Sequence, residues 1–388
     1  MDALYKMFVE RKSVILKMNP VNAYLGPFIE EAFRELVDAG YFAVVYGGAE
    51  VGAYLVEHEG VDEIHITGSN HTHDRIVWGP PGPEREARIA ANDPLVKKEI
   101  TSELGNVSPI VVVPGVFSEK ELDFQAANIA SMLANNAGFN CNAAKLLVLS
   151  RPWPQRERFL ERLAEKFGEI PPRKAYYPGA AQRHRRFLEA HAHVATFGEA
   201  REGELPWALI RDIDPEARND LCFREEAFCS ILGETSLPEK DPLVFLDRAV
   251  TFCNEAVWGT LNITLIVPSG FERNEREAML AAIDRLRYGT VAINHWAGLV
   301  YGMVSPPWGA FPGSPLTDIQ SGRGWVHNTF LFDAPQKVVL RGPLTVSPRP
   351  AWFYDHRSVH ELGRRLTRFE ETGSLVALPG LVLTALKG

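Results

Sequence analysis

Nothing in this sequence is long and apolar enough to cross a bilayer. The longest apolar run, Leu375 to Leu383, is interrupted by Pro379-Gly380, and a spanning helix needs roughly 20 residues. Cysteine is scarce: Cys141, Cys222, Cys229 and Cys253 show no C-x-x-C spacing. That excludes a disulfide framework and fits a reducing, cytoplasmic setting. No secretory leader is legible after Met1. Basic residues are outnumbered, 41 Lys and Arg against 49 Asp and Glu, and no basic stripe is interleaved with aromatics, so nucleic acid and membrane surfaces are not expected partners. Repeats and low-complexity tracts are missing. Two H-x-H pairs occur, His71/His73 and His191/His193, with no carboxylate or third imidazole near them in sequence. Solvated loop histidines, and no metal, are expected.

What is there is an ordinary soluble composition, 46% apolar and 23% charged over 388 residues, enough chain for two domains. Ser13–Lys17, Tyr41–Tyr46, Asp62–Ser69 and Lys97–Glu103 read as strands. Apolar residues at helical spacing lie between them, from Leu25 to Val37 with Gly40 as the stop, and again to His58. Alternating strands and helices argue for parallel βαβ units. Gly47, Gly48, Gly52, Gly68 and Ser69 follow the strand ends, where such sheets bind ligands. Further on, helices are predicted at 122–133, 153–167, 250–258 and 272–286. Strands are predicted at 146–149, 261–267 (half-buried) and 289–294. Residues 171–219 lack a period and read as a surface insertion. Ser358-Val359-His360-Glu361 reads as a capping box.

Two residues carry the chemistry. Cys141 follows a helical run and Gly138, and precedes the apolar Leu146–Leu149. A free thiol is about 3% thiolate at neutral pH, and bringing its pKa near 7 takes roughly 2 kcal/mol, within the reach of a partly buried helix terminus. The thiolate attacks carbonyls, and the backbone N–H of Cys141 is placed to receive an oxyanion. Gly138 suits a close backbone approach around the reacting carbon. Glu103, at a strand end before Leu104-Gly105, suits a general base on water if burial raises its pKa. No histidine pairs with Cys141, which disfavours a cysteine hydrolase.

Together these pieces resemble the aldehyde dehydrogenase superfamily from about residue 10 to about residue 340. Val14–Lys17 with Asn19-Pro20 is similar to the strand and lysine that contact the adenosine ribose. Ile66-Thr67-Gly68-Ser69 resembles the pyrophosphate turn, Glu103-Leu104-Gly105 the catalytic glutamate motif, and Gly138-Phe139-Asn140-Cys141 the nucleophile motif. Glu225-Glu226-Ala227-Phe228 resembles the segment that holds the nicotinamide ribose, with Glu226 as ligand and Phe228 as packing partner. Pro307-Trp308-Gly309 falls at the aromatic-glycine loop. The resemblance implies an α/β fold, with a Rossmann-like parallel sheet that lacks its first strand and an α/β catalytic domain. It implies a partial nucleotide domain (1–105), a catalytic domain (106–330) and a C-terminal arm and tail (331–388). It also implies oxidation of a small aldehyde to a carboxylate with NAD or NADP, through a Cys141 thiohemiacetal and thioester that Glu103-activated water resolves. Catalytic residues would be Cys141 and Glu103, and cofactor-binding residues Lys17, Gly48, Gly52, Gly68, Ser69, Glu226 and Phe228, in a homo-oligomer.

Departures from the pattern are Pro20 in place of a ribose-binding glutamate, His73 for a turn glycine, Asn106 for a second glycine, and Cys229-Ser230 for Gly-Pro. The gap from Glu103 to Cys141 (141 − 103 = 38) is slightly long. The first nucleotide-domain strand and the oxyanion-hole asparagine have no counterpart, so a truncated, unstable and nearly inactive chain is expected. The alternative function is a remnant acting only as a cofactor-binding or oligomerisation module.

Overall fold

The computed structural model describes residues 1–387. Its early strands are β1 (Val14–Lys17), β2 (Phe42–Val45), β3 (Glu63–Gly68), β4 (Glu99–Leu104), β5 (Pro109–Val112) and β6 (Leu146–Ser150). Then come β7 (Arg173–Lys174), β8 (Val194–Phe197), β9 (Glu204–Leu205), β10 (Trp207–Ile213) and β11 (Ile231–Leu237). The last are β12 (Asn262–Ile266), β13 (Thr290–Ile293), β14 (Gly322–Arg323) and β15 (Val338–Arg341).

The large sheet has the order β15-β13-β12-β5-β6-β11-β10-β8, parallel except for the β10–β8 pair. Its central strands β5, β6, β11, β12 and β13 are buried on both faces, so they read as continuous apolar runs rather than alternating ones. That corrects the half-buried expectation for 261–267: β12 lies inside the sheet between β13 and β5, with every residue buried. Helix Glu119–Ala134, buried from Leu122 to Ala134 apart from Asp123, covers one face. Ser118 and Glu121 cap it reciprocally, satisfying donors its first turn leaves free.

The N-terminal strands pair in parallel as expected, but in two pieces. β1–β2 forms one sheet and β3–β4, with β14 antiparallel on β4, another. The register sets Thr67 opposite Glu103 and Gly68 opposite Leu104. Lys6 and Lys12 both pair with Glu63 at the start of β3.

Residues 171–219 are no surface insertion. They contain helix Ala180–Glu189 and β10, whose Trp207 to Ile210 are buried in the large sheet. Their missing period is what a strand buried on both faces leaves behind. The helix expected at 250–258 starts earlier, at Pro242, where Asp241 accepts from the N–H groups of Leu243 and Val244. At Ser358 no capping box forms, because the hydroxyl donates to the Thr384 carbonyl instead.

Candidate active site

The chain leaves helix Glu119–Ala134 through three consecutive residues of positive φ, Asn136 (51°), Ala137 (57°) and Gly138 (83°). A non-glycine residue held there costs about 1–3 kcal/mol, so the turn is held from several sides. Tyr176 Oη donates to Asn136 Oδ1 (2.7 Å), Asn136 Nδ2 to Asn140 Oδ1 (3.0 Å) and Asn140 Nδ2 to Asn135 Oδ1 (3.0 Å). Lys145 Nζ donates to the Asn140 and Ala143 carbonyls at 2.9 and 3.1 Å. A Cβ at Gly138 would lie 2.5 Å from the Cys229 carbonyl oxygen. Its close approach is therefore to Cys229, on the segment after Phe228.

Cys141 leaves this turn partly buried. Ser108, just before β5, donates to its carbonyl at 2.9 Å and receives from Asn106 Nδ2 at 3.1 Å, so the asparagine that departs from the family pattern anchors the Cys141 backbone. The thiol packs against the cluster that contains Trp308, near Glu103 at the carboxyl end of β4. Trp308 Nε1 donates to Glu103 Oε1 at 3.2 Å. Residues 103 and 141 thus meet where the carboxyl edge of β3–β4 faces the amino edge of β5–β6.

Burial sets the electrostatics. Glu103 is 4% exposed, and burial pushes its pKa up to about 7 against the bonds from Cys141 and Trp308. Burial also pushes the Cys141 thiol well above its ordinary value, and the neighbouring carboxylate adds to this while Lys145 opposes it. The expected lowering by a helix terminus does not occur, since the helix before Cys141 presents its C-terminal end, where carbonyls disfavour an anion. Both groups are thus shifted toward their protonated forms.

Glu226 joins this group. Its carboxylate pairs with the buried Lys145 at 3.1 Å, accepts from the Asn106 backbone, and is raised in pKa by burial. Gly105 leaves the space it occupies. Phe228 packs on Phe139 and Tyr177 with ring centroids 5.6 and 5.0 Å away, and Arg183 donates to its carbonyl at 3.2 Å. Phe139 is a core aromatic of this cluster, 4% exposed.

Gly68 and Ser69 lie at the carboxyl end of β3, beside β4. Ser69 caps helix Asn70–Trp78 through Thr72 N–H. Lys17 and Gly48 lie at the carboxyl ends of β1 and β2, but Gly48 N–H is taken by Glu50 (2.9 Å), and Gly52 is inside helix Ala49–Glu57 rather than in a turn. The β3–β4 ladder joins Gly68 to the strand that carries Glu103, while among the described residues no side-chain hydrogen bond or ion pair links Lys17, Gly48 or Gly52 to Cys141 or Glu103. His73 is corrected too: it is in a helix and fully buried, not in a solvated loop. His191 has Asp220 and Cys222 against it, ligand-type neighbours that come from 29 and 31 residues away and so escape local spacing.

Sequence reasoning missed Trp308 as the donor to Glu103, Ser108, and the clamp of Tyr176, Tyr177 and Arg183. Lys145 had a signal, a lone cation between Ala143-Ala144 and the apolar run Leu146–Leu149.

A profile described as "Aldehyde dehydrogenase family" matches residues 7–195. Betaine aldehyde dehydrogenase of Brucella anthropi is 34% identical over 146 residues, 37% of this chain and 26% of that protein. A 4-trimethylaminobutyraldehyde dehydrogenase of Oryzias latipes is 27% identical over 158 residues, 40% of this chain and 27% of that one. In fold, an NAD-dependent aldehyde dehydrogenase from Sinorhizobium meliloti superposes with TM-score 0.62 at 22% identity, covering 84% of this chain and 60% of its own. The matched stretch is about a quarter of those curated relatives. No described helix is long and apolar enough to cross a membrane.

Proposed function

We propose that the chain, whose residues 7–195 match the aldehyde dehydrogenase profile, is a member of that family and oxidises an aldehyde to a carboxylate with NAD or NADP, using Cys141 as nucleophile and Glu103 as base. The observation that carries this is the shared buried neighbourhood of the two residues: Cys141 packs on the cluster containing Trp308, and Trp308 donates to Glu103, a carboxyl whose pKa burial pushes up to about 7. A base near neutrality is matched to taking a proton at working pH and giving it back.

Glu103, held by Trp308, takes the thiol proton as Cys141 Sγ bonds to the aldehyde carbon, giving a thiohemiacetal. The Cys141 N–H, with no acceptor among the described residues, is free to hold the oxyanion, and the Lys145 ammonium offsets the negative charge gathered by Cys141, Glu103 and Glu226. The dinucleotide, when bound, supplies the hydride acceptor. Oxidation leaves a thioester on Cys141. Glu103 first passes the thiol's proton to solvent, then takes one from water as the water oxygen bonds to the thioester carbon; the C–S bond breaks, and the Cys141 thiolate takes that proton back from Glu103. A base at this point favours water over a second thiol as the acyl acceptor.

The chain has residues suited to an anionic dinucleotide. The Asn70 and His71 N–H groups open helix Asn70–Trp78 without intrahelical acceptors. Lys17 has no ion pair among the described residues, and Glu226 and Phe228 flank the nucleophile. Gly48 and Gly52 do not offer free turn N–H groups. A module without turnover, for cofactor binding or oligomerisation, is favoured by one observation: β1–β2 stands as a separate sheet. The four free cysteines fit a cytoplasmic setting, and the exposed Leu375, Val376, Val382 and Leu383 fit a homo-oligomer.

The test is formation of reduced nicotinamide by the chain from an aldehyde panel with NAD and with NADP. Turnover lost in Cys141→Ser supports the enzyme. Cofactor binding with no turnover on any aldehyde supports the module.

A further inference from the structure

Three ligand-type side chains converge outside the Cys141–Glu103 pair. His191 is in the turn between helix Ala180–Glu189 and β8, Asp220 caps helix Leu221–Arg224, and Cys222 lies in that helix. One donor atom from each lies within 4.8 Å of the others. His191 Nε2 is 3.1 and 3.2 Å from the two Asp220 oxygens and 3.8 Å from Cys222 Sγ.

The tautomer makes this arrangement informative. His191 Nδ1 lies 2.5 Å from the Phe187 carbonyl oxygen, which can only accept, so Nδ1 carries the proton. A neutral ring then points its Nε2 lone pair at a carboxylate, two acceptors in contact. A second ring proton, or a cation among the three groups, resolves the conflict. A backbone carbonyl fixing one imidazole nitrogen while the other faces outward is how metal-binding histidines are commonly oriented.

The spacing selects the cation. A tetrahedral zinc ion with nitrogen and oxygen at about 2.0 Å and sulfur at about 2.3 Å gives N···O near ~3.3 Å and N···S near ~3.5 Å. The observed separations lie within about 0.3 Å of these values. Cys222 is 3% exposed, while the side chains of His191 and Asp220 keep 9% and 17% of their surface open, a path for entry. One Asp220 oxygen already serves Cys222 N–H at 2.8 Å.

We propose that His191, Asp220 and Cys222 form a binding site for a zinc-like divalent cation, with water in the fourth position. On binding, Cys222 releases its proton to solvent and sulfur, nitrogen and oxygen each donate a pair to the metal. The ion ties the turn before β8 to the helix that leads into Glu226 and Phe228, so its role is a clamp on the segment beside the nucleophile. The site does not depend on the activity proposed above.

The test is titration of the chelator-treated full chain with Co(II) as a spectroscopic stand-in, followed by competition with Zn(II). One equivalent is expected, with a thiolate-to-cobalt absorption that zinc abolishes. Cys222→Ser loses that absorption and His191→Ala weakens binding more than about 100-fold, while Cys141→Ser keeps both signals. Circular dichroism of His191→Ala, whose side chain reaches the surface, separates lost ligation from lost folding. Absorption that persists in Cys222→Ser but vanishes in Cys141→Ser overturns the proposal. So does a chain that takes up no cobalt, which would leave His191 and Asp220 as a hydrogen-bonded pair only.

Discussion

Glu103 has the most to lose from its position. A carboxyl whose pKa rises from 4.5 to about 7 on folding binds more protons in the native state than in the unfolded one between those values. Its stabilising contribution is complete below the unfolded pKa and is lost as pH rises through the folded one, up to about 3 kcal/mol. Glu103→Gln should therefore gain stability relative to the parent as pH goes from 5 to 8, checked by urea unfolding at each pH. A constant offset would contradict the shifted pKa. Trp308→Phe removes a bond to the ionised form, so the Glu103 pKa, read from the pH profile of thioester hydrolysis, should rise by about one unit. Gly138→Ala combines a positive φ with a clash against Cys229, and should cost at least about 2 kcal/mol and abolish acylation of Cys141. An active, equally stable Gly138→Ala protein would mean the turn is not held as described.

Elements differ in how far they could be read from residues alone. The four-residue pattern Ser-x-x-Glu occurs at Ser118 and at Ser358, yet only the first closes as a capping box, because Thr384 offers the second serine a tertiary acceptor. Cys141 and Glu103 were legible as candidates because local motifs surround them. Trp308, Ser108 and Arg183 were not, because each acts across more than thirty residues of intervening chain. β10 was hidden for another reason: burial on both faces erases the alternation that marks a strand. Ile210→Ala there should cost about 2–5 kcal/mol, measured by denaturant unfolding. A surface insertion would give under about 0.5 kcal/mol.

Across the whole molecule, the eight-stranded sheet and the two small sheets should differ in local stability. β1 and β2 pair only with each other and carry the exposed Ile15, Tyr41 and Tyr46, whereas β5, β6 and β12 are covered on both faces. Hydrogen exchange should show the β1–β2 amides exchanging well before those of the large sheet, and uniform protection would contradict this. In the proposed reaction the chemistry is assembled between these bodies, with the base supplied by a small sheet and the nucleophile by the loop that enters the large one. Mass spectrometry of the acyl-enzyme formed with an activated ester, resolved by peptide, tests that union most directly. One acyl group is expected on the peptide containing Cys141, transient in the parent and, in Glu103→Gln, formed more slowly but retained once formed; label on Cys222, Cys229 or Cys253, or an acyl group lost from Glu103→Gln as fast as from the parent, would contradict it.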